Sequence, residues 1–429
     1  EMKIESMRIG IYDFEPVNDN NDPNVMDKSK FNRDAMQIEF FKKASAAGVK
    51  RFLVTFFSPP NFTKYNRQSG VPAPPQGYIV TNTIDSAYYK EYAEYAVAFV
   101  KLVKELADVD IYGISIGNEI QFNQTYQSVV LNTSQYLEII RTVGRRFAAE
   151  GIKAFLWGAE TLQAQDPGNN YMKICQADPE VRNYLAAYAV HSYAANGIGQ
   201  GGPTTGNWAQ ILADSRNANS TAALNNIRNN PMAPLDASGG QFLGNGGPGI
   251  PVYQSETSGL SESFSDALLM FSGIQNAAVY GNNSGWYYIG INEGYALQQT
   301  FRHYSKYVWG GARRINVSTL TGISSSAYRN PDGSVTVIIG NGNSGARTIS
   351  LTGANLPGQF RVFQSVDKLY MQELTTITSS ITLPPNSMTT LWGGGNALVA
   401  ANGVTVSGSG GVTSINGAGM TLQMAAVVG

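Results

Sequence analysis

Seven strand signals, each followed by a helix signal, predict a (β/α)8 barrel, and a change of pattern near residue 314 predicts an antiparallel β-sandwich after it. A third observation ties the barrel to chemistry. Residues 110–121 read DIYGISIGNEIQ, an apolar and largely β-branched run that stops at Gly117-Asn118-Glu119. A run of that kind suits a strand buried in a parallel sheet. Side chains at the carboxyl ends of barrel strands face the active site, so Glu119 stands where a catalytic acid belongs.

The elements follow in order. Residues 7–12 read as a strand ending near Asp13, and 31–48 as a helix stopped by Gly48. A strand at 51–57 leads into the loop Ser58-Pro59-Pro60-Asn61-Phe62-Thr63-Lys64. Asp85 caps a long amphipathic helix over 85–107, and the Glu119 strand comes next. Helices at 133–150 and 171–182 flank a strand at 153–157. The strand at 185–190 ends in His191-Ser192-Tyr193, and a helix near 208–229 leads to a loop at 239–249. The strand at 251–255 ends in Glu256; helix 262–280, strand 285–291 and helix 298–308 complete the series.

That count is one unit short of eight. The chain opens almost directly on a strand, so the expectation is a barrel over 1–312 that lacks its first unit. Beyond Arg314 come short alternating runs at 335–340, 347–351, 361–365 and 380–383, with a clear turn at Asn330-Pro331-Asp332-Gly333. They predict a sandwich over 313–394. The segment 395–429 is expected to be a linker, opened by Gly393-Gly394-Gly395, and the first strands of another β module.

Composition narrows the partner. The chain has 429 residues with a net charge of −1, which gives no electrostatic footprint for nucleic acid. Charged residues are 14%, while there are 46 Gly and 23 Tyr, a balance suited to a neutral, hydroxyl-bearing ligand such as a sugar. One cysteine, Cys175, leaves no intramolecular disulfide. No apolar run is long enough to span a bilayer. Two histidines are too few for a His-rich zinc site, and there is no HExxH, GxSxG or P-loop motif, so neither metal nor cofactor is expected.

Glycoside hydrolysis needs two carboxyl groups flanking the scissile bond. Two strands end in a suitable Glu: Glu119 on the third and Glu256 on the sixth. Ends on opposite sides of a barrel mouth aim at one point between them. Arg8, in the first strand, is placed to hold Glu256 ionised through a charge-assisted hydrogen bond, and Tyr193 to orient it. Asn118 is placed to bind a sugar hydroxyl, and His191 stands beside Tyr193. Trp286, Tyr287 and Phe62 offer flat apolar faces for sugar rings, although each also suits a core position. Glu160 and Glu293 are the rival carboxylates at strand ends.

These residues resemble a known family. The strand Ile114-Ser115-Ile116-Gly117-Asn118-Glu119, the loop 58–64, His191-Ser192-Tyr193, Gln254-Ser255-Glu256 and the segment 301–307 (FRHYSKY) are similar to glycoside hydrolase family 30, and the similarity runs from about Arg8 to Trp392. The resemblance implies a retaining mechanism with Glu119 as acid/base, Glu256 as nucleophile, and Asn118, Arg8 and Tyr193 assisting. The family usually carries Trp at the place of Phe62 and Met at that of Thr63. Its first barrel strand and the N-terminal strands of its side domain have no counterpart at the start of this chain. The tail from about Val404 resembles the opening of a bacterial immunoglobulin-like module and suggests a longer secreted parent. The expected protein is a secreted, monomeric β-glycosidase acting on xylan or a β-1,6-linked glycan. The alternative is a carbohydrate-binding protein on a degenerate barrel.

Overall fold

A computed structural model describes residues 4–71, 81–164, 171–215, 251–290 and 295–394, and the backbone of short strands at 243–244, 247–248, 403–408, 412–414 and 423–428. The seven expected barrel strands are β1 (Ser6–Ile11), β2 (Arg51–Phe56), β3 (Ile111–Ser115), β4 (Phe155–Thr161), β5 (Leu185–His191), β6 (Val252–Glu256) and β7 (Gly285–Ile289). They pair in parallel and in that order. Between them run α1 (Ile38–Ala46), α2 (Tyr89–Ala107), α3 (Thr133–Glu150), α4 (Tyr171–Ala177), α5 (Thr205–Ser215) and α6 (Phe264–Val279), and α7 (Tyr295–Ser305) follows β7.

Local sequence sets the helix ends. Asp85 accepts from the Ala87 N–H and caps the 3-10 turn that leads into α2. Asn132 and Gln135 exchange side-chain and backbone hydrogen bonds at the start of α3, a full capping box. Gly151 ends that helix with φ +66°, a conformation costly for any residue with a Cβ. The helix expected near 208–229 is α5; residues 216–242 lie outside the described residues.

The tail is not a separate module. After the sandwich strands β8 (Arg313–Leu320), β9 (Ile323–Arg329), β10 (Val335–Asn341), β11 (Arg347–Thr352), β12 (Phe360–Val366), β13 (Leu369–Ile377), β14 (Ser380–Leu383) and β15 (Ser387–Gly393) come three more. Of these, β16 (Gly403–Gly408) pairs with β8 and β11, and β17 (Val412–Ser414) pairs with β8, so both belong to the sandwich. The last, β18 (Gln423–Val428), lies between β1 and β7 and is parallel to both. The barrel expected to lack a unit is therefore a closed ring of eight, with its eighth strand drawn from the far end of the sequence. A closed ring leaves no unpaired edge, and β18 is the strand that completes it.

Two apolar layers hold the barrel. Leu53, Phe155, Trp157, Tyr253 and Tyr287 fill its interior, while Ile9, Val54, Phe56, Ile114 and Phe99 are among the residues that pack strands against helices. The sandwich has its own core, including Val337, Ile339, Phe360, Val362 and Leu391. His303, from the segment 301–307, docks one on the other. Its Nδ1 pairs with Thr390 Oγ1 at 2.9 Å and its Nε2 with Ser365 Oγ at 2.8 Å. Burial holds this imidazole down at about 3, so it is neutral.

Candidate active site

The carboxyl ends of β1, β3, β4, β5 and β6 converge on one buried group of charges. Arg8 is fully buried in β1 and its guanidinium is the hub. Nε donates to Glu160 Oε1 at 2.7 Å, Nη1 to Glu256 Oε2 at 2.5 Å, and Nη2 to Asn118 Oδ1 at 2.6 Å. A planar fork of donors meets three acceptors from three other strand ends, a task an ammonium group would not perform as well. Tyr193 Oη donates to Glu256 Oε1 at 3.0 Å. Burial, then the charge of Glu256, pushes the Tyr193 phenol up, so it remains a donor.

Glu119 faces the same space. His191 Nδ1 lies 3.0 Å from Glu119 Oε1, and Tyr126 Oη donates to Glu119 Oε2 at 3.2 Å. One oxygen of Glu119, one of Glu256 and a ring nitrogen of His191 all lie within 4.8 Å of one another. Glu119 and Glu160 both have left-handed backbones, φ +47° and +52°. That conformation costs a non-glycine residue roughly 1–3 kcal/mol and persists where surrounding structure enforces it, most often at functional sites. Here the Glu119 N–H donates to the Glu160 carbonyl at 3.0 Å, which locks the two strand ends together.

The electrostatics are tightly coupled. Burial alone would lower His191, but Glu256, Glu119 and Glu160 raise it to about 9, so the ring is an imidazolium at neutral pH. Burial alone would raise Glu160, but Arg8 and His191 outweigh it and hold that carboxyl at about 2. Glu160 is thus the permanent counter-ion, locked on Arg8. An imidazolium has no lone pair for a metal, and Arg8 already occupies the cation position beside Glu256, so the group suits proton and glycosyl transfer better than metal ligation.

The structure brings Arg8, Asn118, Glu119, His191, Tyr193 and Glu256 together and adds Glu160 to them. It does not bring the three expected aromatic platforms. Trp286 points outward to the helices, with its ring 5.7 Å from Phe301. Tyr287 points into the barrel but pairs with Ser6 Oγ at 2.9 Å, level with the start of β1 and below Arg8. Period-two alternation along β7 sends one to the helix layer and the other to the interior. Phe62 packs edge-on against Tyr88 at the head of α2, 6.1 Å between ring centres. Glu293 lies outside the described residues.

The aromatic wall at the mouth is instead Tyr12, Phe57 and Tyr126. Tyr12 and Phe57 are 4.8 Å apart, Phe57 and Tyr126 6.2 Å, and the Arg8 guanidinium lies 5.9 Å over Phe57. Tyr12 and Phe57 directly follow β1 and β2, so the strand-end rule points to them as it does to Glu119. Tyr126 sits in an irregular loop, and nothing in the sequence around it signals its contact.

Residues 311–391 match the family model described as the glycosyl hydrolase family 30 β-sandwich domain. Over those residues the chain carries a sandwich of the family 30 type. The barrel that precedes it agrees in fold with solved glycoside hydrolases of that family. A family 30 endoxylanase from Clostridium papyrosolvens C71 superimposes with a TM-score of 0.64 at 16% identity, over 91% of this chain and 97% of that one. The subfamily 8 xylanase Xyn30A from Clostridium acetobutylicum gives 0.66 at 17%, over 90% and 88%. The endo-β1,6-glucanase BT3312 gives 0.57 at 16%, over 90% and 82%. No curated protein sequence matches the chain. Among the described residues, no helix is long and apolar enough to cross a membrane.

Proposed function

We propose that this protein is a retaining glycosidase of the family 30 type that cleaves β-linked polysaccharide by double displacement. Glu256 attacks the anomeric carbon while Glu119 protonates the leaving oxygen. Glu119 then takes a proton from the water that hydrolyses the glycosyl-enzyme. The observation that carries this reading is the approach of the two carboxylates, oxygen to oxygen within 4.8 Å. Retaining enzymes hold their carboxyl groups about 5–5.5 Å apart, whereas inverting ones leave about 6.5–9.5 Å for a water between them.

The surroundings fit the two roles. Glu256 faces two donors, one of them a cation, the setting of a nucleophilic carboxylate. Across the gap, Glu119 lies against the His191 ring and the Tyr126 hydroxyl. Asn118, held by Arg8, is positioned for a substrate hydroxyl, and Tyr12, Phe57 and Tyr126 offer flat faces for a ring. Xylan and β-1,6-linked glycans lead as substrates, since the neighbours in fold include xylanases and a β1,6-glucanase. Secretion and a monomeric state belong to the same proposal.

The test is hydrolysis of a panel of β-linked xylo- and gluco-oligosaccharides by the parent, Glu119→Gln and Glu256→Gln. Turnover by the parent and its loss in both variants supports the assignment. Full activity in either variant ends it. Glycan binding without turnover by the parent would favour the carbohydrate-binding alternative.

A further inference from the structure

A second buried acidic group lies apart from the catalytic one. The connection from β1 to α1 contains Glu15 and the amide-rich run Asn18-Asp19-Asn20-Asn21-Asp22. Glu91 and Glu94 stand three residues apart on one face of α2. Glu15, Asp19, Glu91 and Glu94 are only 2, 9, 8 and 2% exposed. One carboxylate oxygen from each of Asp19, Glu91 and Glu94 lies within 4.8 Å of the other two.

A separate observation is that one oxygen of each of these three carboxylates is left without a partner, although Asp19 Oδ2 accepts from Asn20 and Asp27. Asp19 Oδ1, Glu91 Oε2 and Glu94 Oε1 are all buried without a hydrogen-bond partner. Among the described residues, none of the three carboxylates forms an ion pair with Lys, Arg or His. Buried carboxylate oxygens are normally paired, protonated or bound to a metal.

We propose that Asp19, Glu91 and Glu94, with Glu15 behind them, bind a calcium ion that fastens the β1–α1 connection to α2. The donors are all oxygen, which selects a hard cation over zinc or copper. They come from a loop and a helix rather than a rigid octahedral cage. A loop rich in amides and backbone carbonyls can complete the six to eight ligands that calcium takes, whereas magnesium demands near-ideal octahedral geometry. The ion is structural and does not enter the reaction. Its effect on the mouth passes through the same connection, because Asp13 accepts from the Asn61 N–H at 3.2 Å and the Glu15 N–H at 3.0 Å, next to Tyr12.

The experiment uses the full chain, stripped with EDTA and titrated with calcium chloride. Thermal midpoint is one readout, and terbium luminescence excited through tyrosine is the other, since Tyr92 and Tyr95 flank Glu94 on α2. The expected result is tyrosine-sensitised terbium emission that calcium displaces, and a midpoint at least about 3 °C higher in saturating calcium than in EDTA. Glu94→Gln and Asp19→Asn should each weaken calcium binding by about 10-fold or more. Asp19→Asn, on the loop, serves if Glu94→Gln does not fold. Glu119→Gln should keep the full response, which separates this site from Glu119, His191 and Glu256. Equal midpoints in EDTA and calcium with no terbium emission would overturn the proposal. So would a response kept in Glu94→Gln and lost in Glu119→Gln.

Discussion

The charge on His191 is the sharpest consequence of the site's geometry. Its ring faces Glu119 at 3.0 Å, Glu160 at 3.7 Å and Glu256 at 3.9 Å. The net effect raises it from 6.5 to about 9, which is 9 − 6.5, or about 2.5 units. At 1.36 kcal/mol per unit that amounts to ~3 kcal/mol. A unit charge near 4 Å contributes ~4 kcal/mol at an effective dielectric of 20, so each carboxylate matters on the scale of the whole shift. Glu160→Gln, which removes one charge and little volume, should therefore lower the His191 midpoint by at least about one unit. Proton-detected NMR of the imidazole signals reads it directly. The chain has only two histidines, and His303 is held at about 3, so a ring titrating between about pH 5 and 10 is His191. The same shift has a stability signature. A folded value raised above the unfolded one contributes fully below about 6.5 and is lost as pH rises through about 9. Denaturation midpoints should thus fall between pH 7 and 10 in the parent, and fall less in Glu160→Gln. A His191 midpoint at or below 6.5, or one unmoved by Glu160→Gln, would refute the electrostatic account.

Three further outcomes follow from the same geometry. Glu119→Gln should lower kcat by roughly 10²–10⁴ on natural glycans but far less on dinitrophenyl glycosides, whose leaving group needs no proton; Glu256→Gln should be impaired on both. Tyr126→Phe removes the hydrogen bond to Glu119 and should cost about 1 kcal/mol in transition-state stabilisation, a roughly fivefold fall in kcat/KM with the fold intact by circular dichroism. Deleting residues 423–429 opens the ring between β1 and β7, and the truncated chain should aggregate or lose its cooperative thermal transition. A soluble, cooperatively folding truncation would show that β18 is dispensable.

Much of the site was legible because the strand-end rule is local. Asn118, Glu119, His191, Tyr193 and Glu256 each lie at or beside an end that the sequence itself marks by a break in an apolar run, Arg8 is a lone charge inside the first strand, and the fold then gathers them. Glu160 was named only as a rival because nothing local shows that Arg8 reaches it across the barrel. The platforms failed for a different reason. Trp286 and Tyr287 are large and apolar, but only the register of β7 decides which face each takes, and neither face of that strand at those positions reaches the mouth. The tail misled through composition. Its glycines and serines read as a linker, whereas β18 is held by ladders to β1 and β7, pairings some four hundred residues distant for β1 and invisible to any sequence window.

The central claim is that Glu256 and Glu119 act as nucleophile and acid/base across one small gap. The most direct measurement is the anomeric configuration of the first-formed product, followed by proton NMR as a β-linked oligosaccharide is cleaved. Initial release of the β-anomer, turning to the equilibrium mixture only by mutarotation, is the result this geometry predicts. Initial release of the α-anomer would contradict it, because inversion requires a water where these two carboxylates leave no room for one.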